Sequence, residues 1–571
     1  MRKFVVVLAV LAVGVAIFAL TLSFEPESGP APPAKPTTGP AGPSTQPAQA
    51  NAPPALQAKQ EFVFNNGAEP ETLDPARMTG VPEHTLAMAL FEGLVGYHPR
   101  TLRPVPGVAQ SWMISRDGRT YTFLLRKSDW SNGDPVTAQD FVYSWRRVLD
   151  PNTGAEYAYQ LWYVKNARAY TKGKLSDFSK VGIRALNPHA LEVTLEHPTA
   201  FFLGLLAFET FMPVHQGCVS THGKRWTRPG NIVGNGPFVL AEWKPQHKIV
   251  MTKNRRYWNA ASVGLERIVA FPISNENTAL LRYQAGDFHL LPSLPSDKIP
   301  KLKTHPDYHK APYLGTYFYR FNCTRRPFDD PRVRKAFNLA LDKAKLCKYV
   351  LHGEYDPATG FVPPMMPPYT SPKGMGYDPT RAAELLAEAG YPGGNGFRRV
   401  TLIYNTSKRH ERVAVVAQQM WKKALGVEIN LVNQEWKVYL KTMQNLDYDI
   451  MRSAWIGDYM DPNTFLDMFV TGGGNNRTGW SNRRYDQLIA AAAKTPDTRK
   501  RLHMLREAED ILINRDMPIM PVYFYANLSL RRPSVRGFYE NPRDLHPFQY
   551  IRIALPAAAA QRLQIRVESE F

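Results

Sequence analysis

The sequence predicts an α/β protein, and three observations carry that prediction. In the second half of the 571 residues, capped helices alternate with short apolar runs of strand length. Two of those helices open on the same device, an aspartate cap followed by proline in the first turn. The first half instead mixes isolated strands with one strongly patterned helix, so the two halves are built differently.

Taken in order, Phe62 to Phe64 is a strand broken by Asn65-Asn66-Gly67. TYTFLL, Thr120 to Leu125, alternates as a half-buried strand does. In SNGDPVTAQDFVYSWRRVL, Thr137 caps a helix and Asp140 reaches back as its capping-box partner. Phe141, Trp145, Val148 and Leu149 then form one apolar stripe. LEVTLE (Leu191 to Glu196) and HKIVMTKN are further strands. In FDDPRVRKAFNLALDKAKL, Asp330 caps, Pro331 enters the first turn, and Val333, Phe337, Ala340 and Leu341 share a face. YDPTRAAELLAEAGYPGG repeats the design: Asp378 caps, Pro379 begins, Leu385, Leu386 and Ala389 face inward, and Gly390 ends the helix. Next come the strand VTLIYN, a helix from about Lys408 to Leu425, the strand VEINLV, a helix with Trp436 and Leu440, and the strand YDIMRSAW.

The ends differ from this body. Met1-Arg2-Lys3 precedes an uncharged apolar run from Phe4 to Leu20, which reads as an export signal or as one uncut membrane-spanning helix over 1–24. Both readings leave Arg2 and Lys3 inside and place the body in the periplasm or cell envelope. Residues 25–59 are proline- and alanine-rich without apolar periodicity, which describes an extended, disordered spacer. Cys218, Cys323 and Cys347 are too few for a disulfide framework, although one pair is left open. The formal charge of +20 is scattered among acids, with no finger spacing or basic block, so nucleic acid is not an expected partner.

The patterns that mark common chemistries are missing. HERVA at His410 has Ala414 where a zinc-binding helix needs its second histidine, and HQGCVSTH with His215, Cys218 and His222 lacks further ligands, so no metal is expected. GNIVGNG and TGGGNN supply neither a phosphate loop nor a dinucleotide signature, and no cofactor is expected. Attention falls on AWIGDYMDPNTFL, where a strand leads into Asp458 and Asp461 among aromatic rings. Such a carboxylate performs acid catalysis, coordinates a metal, or holds a cation. Two alternatives stay open at this point: a hydrolase using Asp458 and Asp461, and an envelope structural protein using its tether and positive face.

From about residue 60 to 550 the chain resembles the extracytoplasmic solute-binding proteins of ABC peptide importers, in particular their oligopeptide-binding branch. The segments that carry this include NNGAEPETLDPARMTGVPE, DWSNGDPVTAQDFVYSWRRVLDPNTGAEYAY, VGNGPFVLAEW, LIYNTSKRHERVAVVAQQMWKKALGVEINLVNQEWKVYL and AWIGDYMDPNTFL, in consistent order. The resemblance implies a fold of the periplasmic-binding-protein type: two lobes joined by a hinge, plus an additional domain. Lobe I would take 60–91, 216–310 and 525–560, the additional domain 92–215, and lobe II 311–524, with 561–571 as a tail. It implies binding without catalysis, with short peptides as cargo, a permease in the inner membrane as partner, and a monomer.

The resemblance also implies site residues. Asp458 would receive the peptide α-amino group, and the backbone of Thr79, Gly80 and Val81 and of Ala454, Trp455 and Ile456 would grip the main chain as an added strand. Trp436, Trp455 and Tyr157 or Tyr159 would line the pocket, although a direct alignment puts Gln160 at the tyrosine's place. Arg452 and His410 would lie near the peptide carboxylate. Met443 stands where near relatives have an arginine, and Ile456 replaces a cysteine, so neither that carboxylate contact nor a disulfide is carried over. Wall-derived peptides or another solute remain alternative cargoes.

Overall fold

Two long strands organise the protein. The computed structural model describes residues 60–199 and 201–554, all within one unit, Ala52–Phe571. The expected leader, spacer and tail at 1–24, 25–59 and 561–571 lie outside the described residues. Among the described residues no helix is long and apolar enough to cross a membrane.

Tyr308–Phe321 and Ile519–Arg531 pair antiparallel at the centre of an eleven-stranded mixed sheet. On one side the order continues through Ile450–Ile456, Val400–Asn405 and Ile429–Gln434. On the other it continues through Leu290–Leu291, Glu61–Asn65, Arg267–Phe271, Lys248–Lys253 and Phe238–Lys244. Each long strand therefore belongs to both halves of the sheet. Their pairing is interrupted between Pro312 and Thr316 and again between Tyr317 and Phe318. Local causes are visible in the sequence: Pro312 has no N–H to give, and a Cβ on Gly315 would lie 2.4 Å from Ile456 Cδ1.

A second, four-stranded antiparallel sheet is ordered Ala109–Ile114, Thr120–Leu125, Ala190–Thr194, Ile183–Asn187. Tyr121, Phe123 and Leu125 point to its buried face, as their alternation requires. The helix Ala138–Leu149 carries the predicted capping box of Thr137 and Asp140, and Phe141, Trp145, Val148 and Leu149 are all buried. Asp330 accepts the Arg332 N–H at 2.8 Å and Asp378 the Arg381 N–H at 2.9 Å, so both predicted caps act. The long helix spans Lys408–Leu425 and covers the large sheet with Trp421, which is fully buried against Phe337 and Tyr319. All three cysteines are free; Cys218 and Cys347 are buried.

Among the carboxyls buried by this folding are Glu83, Asp467 and Glu509. Burial pushes each of them up to about 7, despite hydrogen bonds such as those from Tyr369 Oη and the Phe361 and Val362 amides to Glu509. The fold therefore keeps protons that the unfolded chain releases near pH 4, and the stability linked to these groups is lost as pH rises through about 7. The thermal midpoint is expected to fall between about pH 5.5 and about pH 8. A midpoint that rises over that range would contradict the assignment.

Candidate functional site

The strand Ile450–Ile456 has an open edge. On one side it pairs with Tyr308–Phe321 along its whole length, from Gly315 opposite Ile456 to Phe321 opposite Ile450. On the other side its partner Val400–Asn405 reaches only Ile450 and Met451. Backbone from Arg452 onward is thus left without a strand neighbour on that side, a template for an incoming extended chain. A cavity of about 490 Å³ opens there, lined by Ala454, Trp455 and Ile456 and, from the other half of the molecule, by Thr79, Gly80 and Val81.

Asp458 follows this strand and lines the same cavity at 5% exposure. Its own backbone is fixed, with its N–H donating to Thr464 Oγ1 at 2.9 Å and its carbonyl accepting from Tyr97 Oη at 3.0 Å. Its carboxylate accepts one hydrogen bond, from Gln160 Nε2 at 2.8 Å. Burial holds this carboxyl well above the usual range, with Arg543 opposing the shift and Glu209 and Asp467 adding to it. With Arg543 outnumbered by Glu209 and Asp467, the buried Asp458 carboxyl sits in surroundings short of positive charge, which is what a cationic ligand group supplies.

Arg452 and His410 also line the cavity. The Arg452 guanidinium donates to Asn405 Oδ1 at 3.0 Å and Tyr525 Oη at 2.5 Å and lies 4.9 Å from the centre of the Tyr317 ring, with no carboxylate among the described residues paired to it. His410 packs at 5.5 Å from the same ring. Burial, then Arg452 and Arg409, hold it well below the usual histidine range. It therefore faces the cavity as a neutral imidazole, and of these two residues only Arg452 offers full charge to a carboxylate.

The tyrosine pair divides. Glu156–Tyr163 is a three-residues-per-turn helix, so Tyr157 and Gln160 project the same way and Tyr159 does not. Tyr157 lines the cavity and stacks on Trp455 at 6.0 Å, while Tyr159 sits behind it, within 3.4 Å of Asn475 Nδ2. The expectation of Tyr159 as a lining residue is thereby corrected: the helical turn brings Gln160 to Asp458 instead. Trp436 lines the cavity, stacks on Tyr439 at 5.6 Å and donates to Glu83 Oε1 at 3.3 Å across it. Met443 lines it too, its sulfur 3.5 Å from Arg477 Nη1. Sequence reasoning missed Arg320, Arg477 and Arg543, since nothing local separates a cavity-facing polar residue from a surface one.

The remaining sequence candidates have structural roles. Asp461 forms a two-pronged ion pair with Arg501 at 2.6 and 2.9 Å and accepts the Asn463 N–H, which leaves it no part in a carboxylate pair with Asp458. His215 caps its short helix through Nδ1 and meets Asp134 through Nε2 at 2.8 Å. No cluster of three metal-ligating side chains exists among the described residues.

Comparison with known proteins places this geometry. The periplasmic oligopeptide-binding protein OppA of Escherichia coli is 38% identical over 495 residues, covering 85% of this chain and 90% of that protein. The structure of the Escherichia coli murein tripeptide binding protein MppA superposes with a TM-score of 0.84 at 37% identity, covering 87% of this chain and 99% of the other. The unliganded open form of the same MppA gives a TM-score of only 0.60 over 87% of this chain and 98% of the other. The structure here is thus less like that open form than like the first structure, and the architecture is the two-lobed periplasmic-binding-protein fold with an additional domain. The sequence profile of the bacterial extracellular solute-binding proteins, family 5, middle part, matches residues 103–477. The chain belongs to the bacterial extracellular solute-binding proteins of family 5.

Proposed function

We propose that the protein captures short peptides with a free amino end and presents them to an ABC transporter permease for import, without a chemical step. The observation that carries this reading is the buried Asp458 carboxylate at the end of an open strand edge, inside a cavity bounded by both halves of the molecule. Asp458 would take the α-amino group, the backbone at 79–81 and 454–456 the main chain, and Arg452 a carboxylate, with His410 beside it. Tyr157, Trp436 and Trp455 would surround side chains. The names of the Escherichia coli relatives, which cite oligopeptides and a murein tripeptide, support peptide as cargo.

The lobes would divide as the sequence suggests, 60–91, 216–310 and 525–560 against 311–524, with 92–215 added to the first. Rotation about the interrupted pairing of Tyr308–Phe321 with Ile519–Arg531 would open and close the cleft. The protein would act as a monomer in the periplasm or envelope, either free or held by its N-terminal apolar run. The test is calorimetric titration with Ala-Ala-Ala and its N-acetylated form. The free peptide is expected to bind and the acetylated one to lose at least about 30-fold, the lower bound for losing a buried charge pair. Equal affinities would overturn the proposal.

A further inference from the structure

Arg320 is the most deeply buried cation on the cavity wall, at 3% exposure, and no acid among the described residues pairs with it. Its Nε donates to Ser453 Oγ at 2.9 Å and its Nη1 to the Asn475 carbonyl at 3.0 Å. The ionisable groups that act on it are four tyrosines, Tyr448, Tyr439, Tyr157 and Tyr159, and burial lowers its pKa. Beside it, Arg477 is also buried and lines the cavity, its Nε without a partner. Arg477 pairs with Glu156 and also feels Glu71, so of the two arginines it is Arg320 that is left without a paired acid among the described residues.

The other carboxylates of the cavity are engaged elsewhere, Glu69 by Trp243 Nε1 at 2.8 Å and Glu435 by the Lys437 N–H at 2.8 Å. Glu209 meets His84 at 2.5 Å, Glu276 lies 3.5 Å from Arg409, and Asp544 is held by His546 at 2.5 Å. Asp458 has Gln160 and Arg543. A guanidinium out of water without an acid is costly, and an anion brought by the ligand relieves that cost. Arg452 has the same deficit elsewhere on the wall, where the terminal carboxylate of the proposed peptide would satisfy it. Arg320 therefore calls for a second anion, one carried on a side chain.

We propose that Arg320, flanked by Arg477 and Met443, forms a side-chain pocket that selects an acidic residue in the bound peptide. This rests on the peptide reading above and specifies which peptides are preferred. Arg320 touches Ser453, which lies on the edge left open from Arg452 onward, so a side chain leaving a peptide paired with that edge is within reach of the guanidinium. The aromatic floor of Tyr157 and Tyr439 excludes water, which strengthens the charged contact.

The experiment titrates the full-length protein with Ala-Ala-Ala, with three tripeptides carrying Glu at each position in turn, and with the three Gln counterparts. At one position Glu is expected to bind at least about tenfold tighter than Gln, as a charged hydrogen bond in a dry site does. Arg320→Gln should remove that preference, and Arg320→Lys should retain most of it. Equal binding of Glu and Gln at all three positions, with Ala-Ala-Ala still bound, overturns the acidic pocket and leaves the peptide reading standing. A Glu preference that persists in folded R320Q overturns the assignment to Arg320. Failure of Ala-Ala-Ala itself to bind overturns both. The Glu and Gln comparison in the unsubstituted protein keeps the proposal testable even where R320Q fails to fold.

Discussion

Asp458→Asn is expected to cost about 2–5 kcal/mol in peptide binding, a loss of roughly 30- to 4,000-fold. The substitution keeps the shape and the contact from Gln160, whose amide can turn to meet either oxygen or nitrogen, and removes only the charge. A ligand ammonium buried beside the neutral amide would then lack its counter-ion. Calorimetry with a free tripeptide reads the effect, and a loss below about 0.5 kcal/mol would remove Asp458 from the role given to it. The pH profile supplies a second readout. Burial keeps the Asp458 carboxyl protonated well above the usual range, so binding an ammonium must release that proton. Affinity should therefore rise with pH until the ligand amine itself deprotonates, at about 7.7–8.0. In D458N the rising limb should disappear.

Trp421→Ala is expected to lower the unfolding free energy by about 3–5 kcal/mol. Trp421 is fully buried, its ring centre 5.1 Å from that of Phe337 and 5.8 Å from that of Tyr319, and its Nε1 donates to the Phe337 carbonyl at 2.8 Å. Alanine leaves a cavity beneath the large sheet and strips that carbonyl of its donor. Trp421→Phe keeps most of the volume and loses only the hydrogen bond, so its cost should be about 1–3 kcal/mol. Denaturant midpoints with unchanged slopes would give both values. Equal losses for the two substitutions would mean that the hydrogen bond, not the filling of space, holds this site.

The helices were legible because their signals are local. Thr137 with Asp140, Asp330 with Pro331, and the apolar spacing from Lys408 to Leu425 each report on a few turns of chain, and each helix forms where those residues indicate. Sheet order was not legible from composition, because Glu61–Asn65 pairs with Arg267–Phe271 about two hundred residues away. Asp458 stood out because a carboxylate between aromatic residues after a strand is unusual. Arg320 did not, because in YFYRF it reads as one more of 70 basic residues. Only the pairing of Tyr308–Phe321 alongside Ile450–Ile456 brings that arginine to Ser453 on the cavity wall. Tyr159 failed for a smaller reason: a turn of three residues, rather than an alternating strand, decides which way it points.

The position of Ile519–Arg531 at the centre of the large sheet also sets an order of events for the growing chain. This strand joins Leu290–Leu291 to Tyr308–Phe321, yet it is among the last segments to be synthesised. Gln60 at the start of the body likewise exchanges hydrogen bonds with Ile553, 493 residues later. An incomplete chain can form its local helices and the hairpin of Ala109–Ile114 with Thr120–Leu125, but it cannot close its main sheet. Closure is then a late, non-local and slow step. A polypeptide built in this order stays loose enough to be threaded lengthwise through a narrow channel until nearly all of it has emerged.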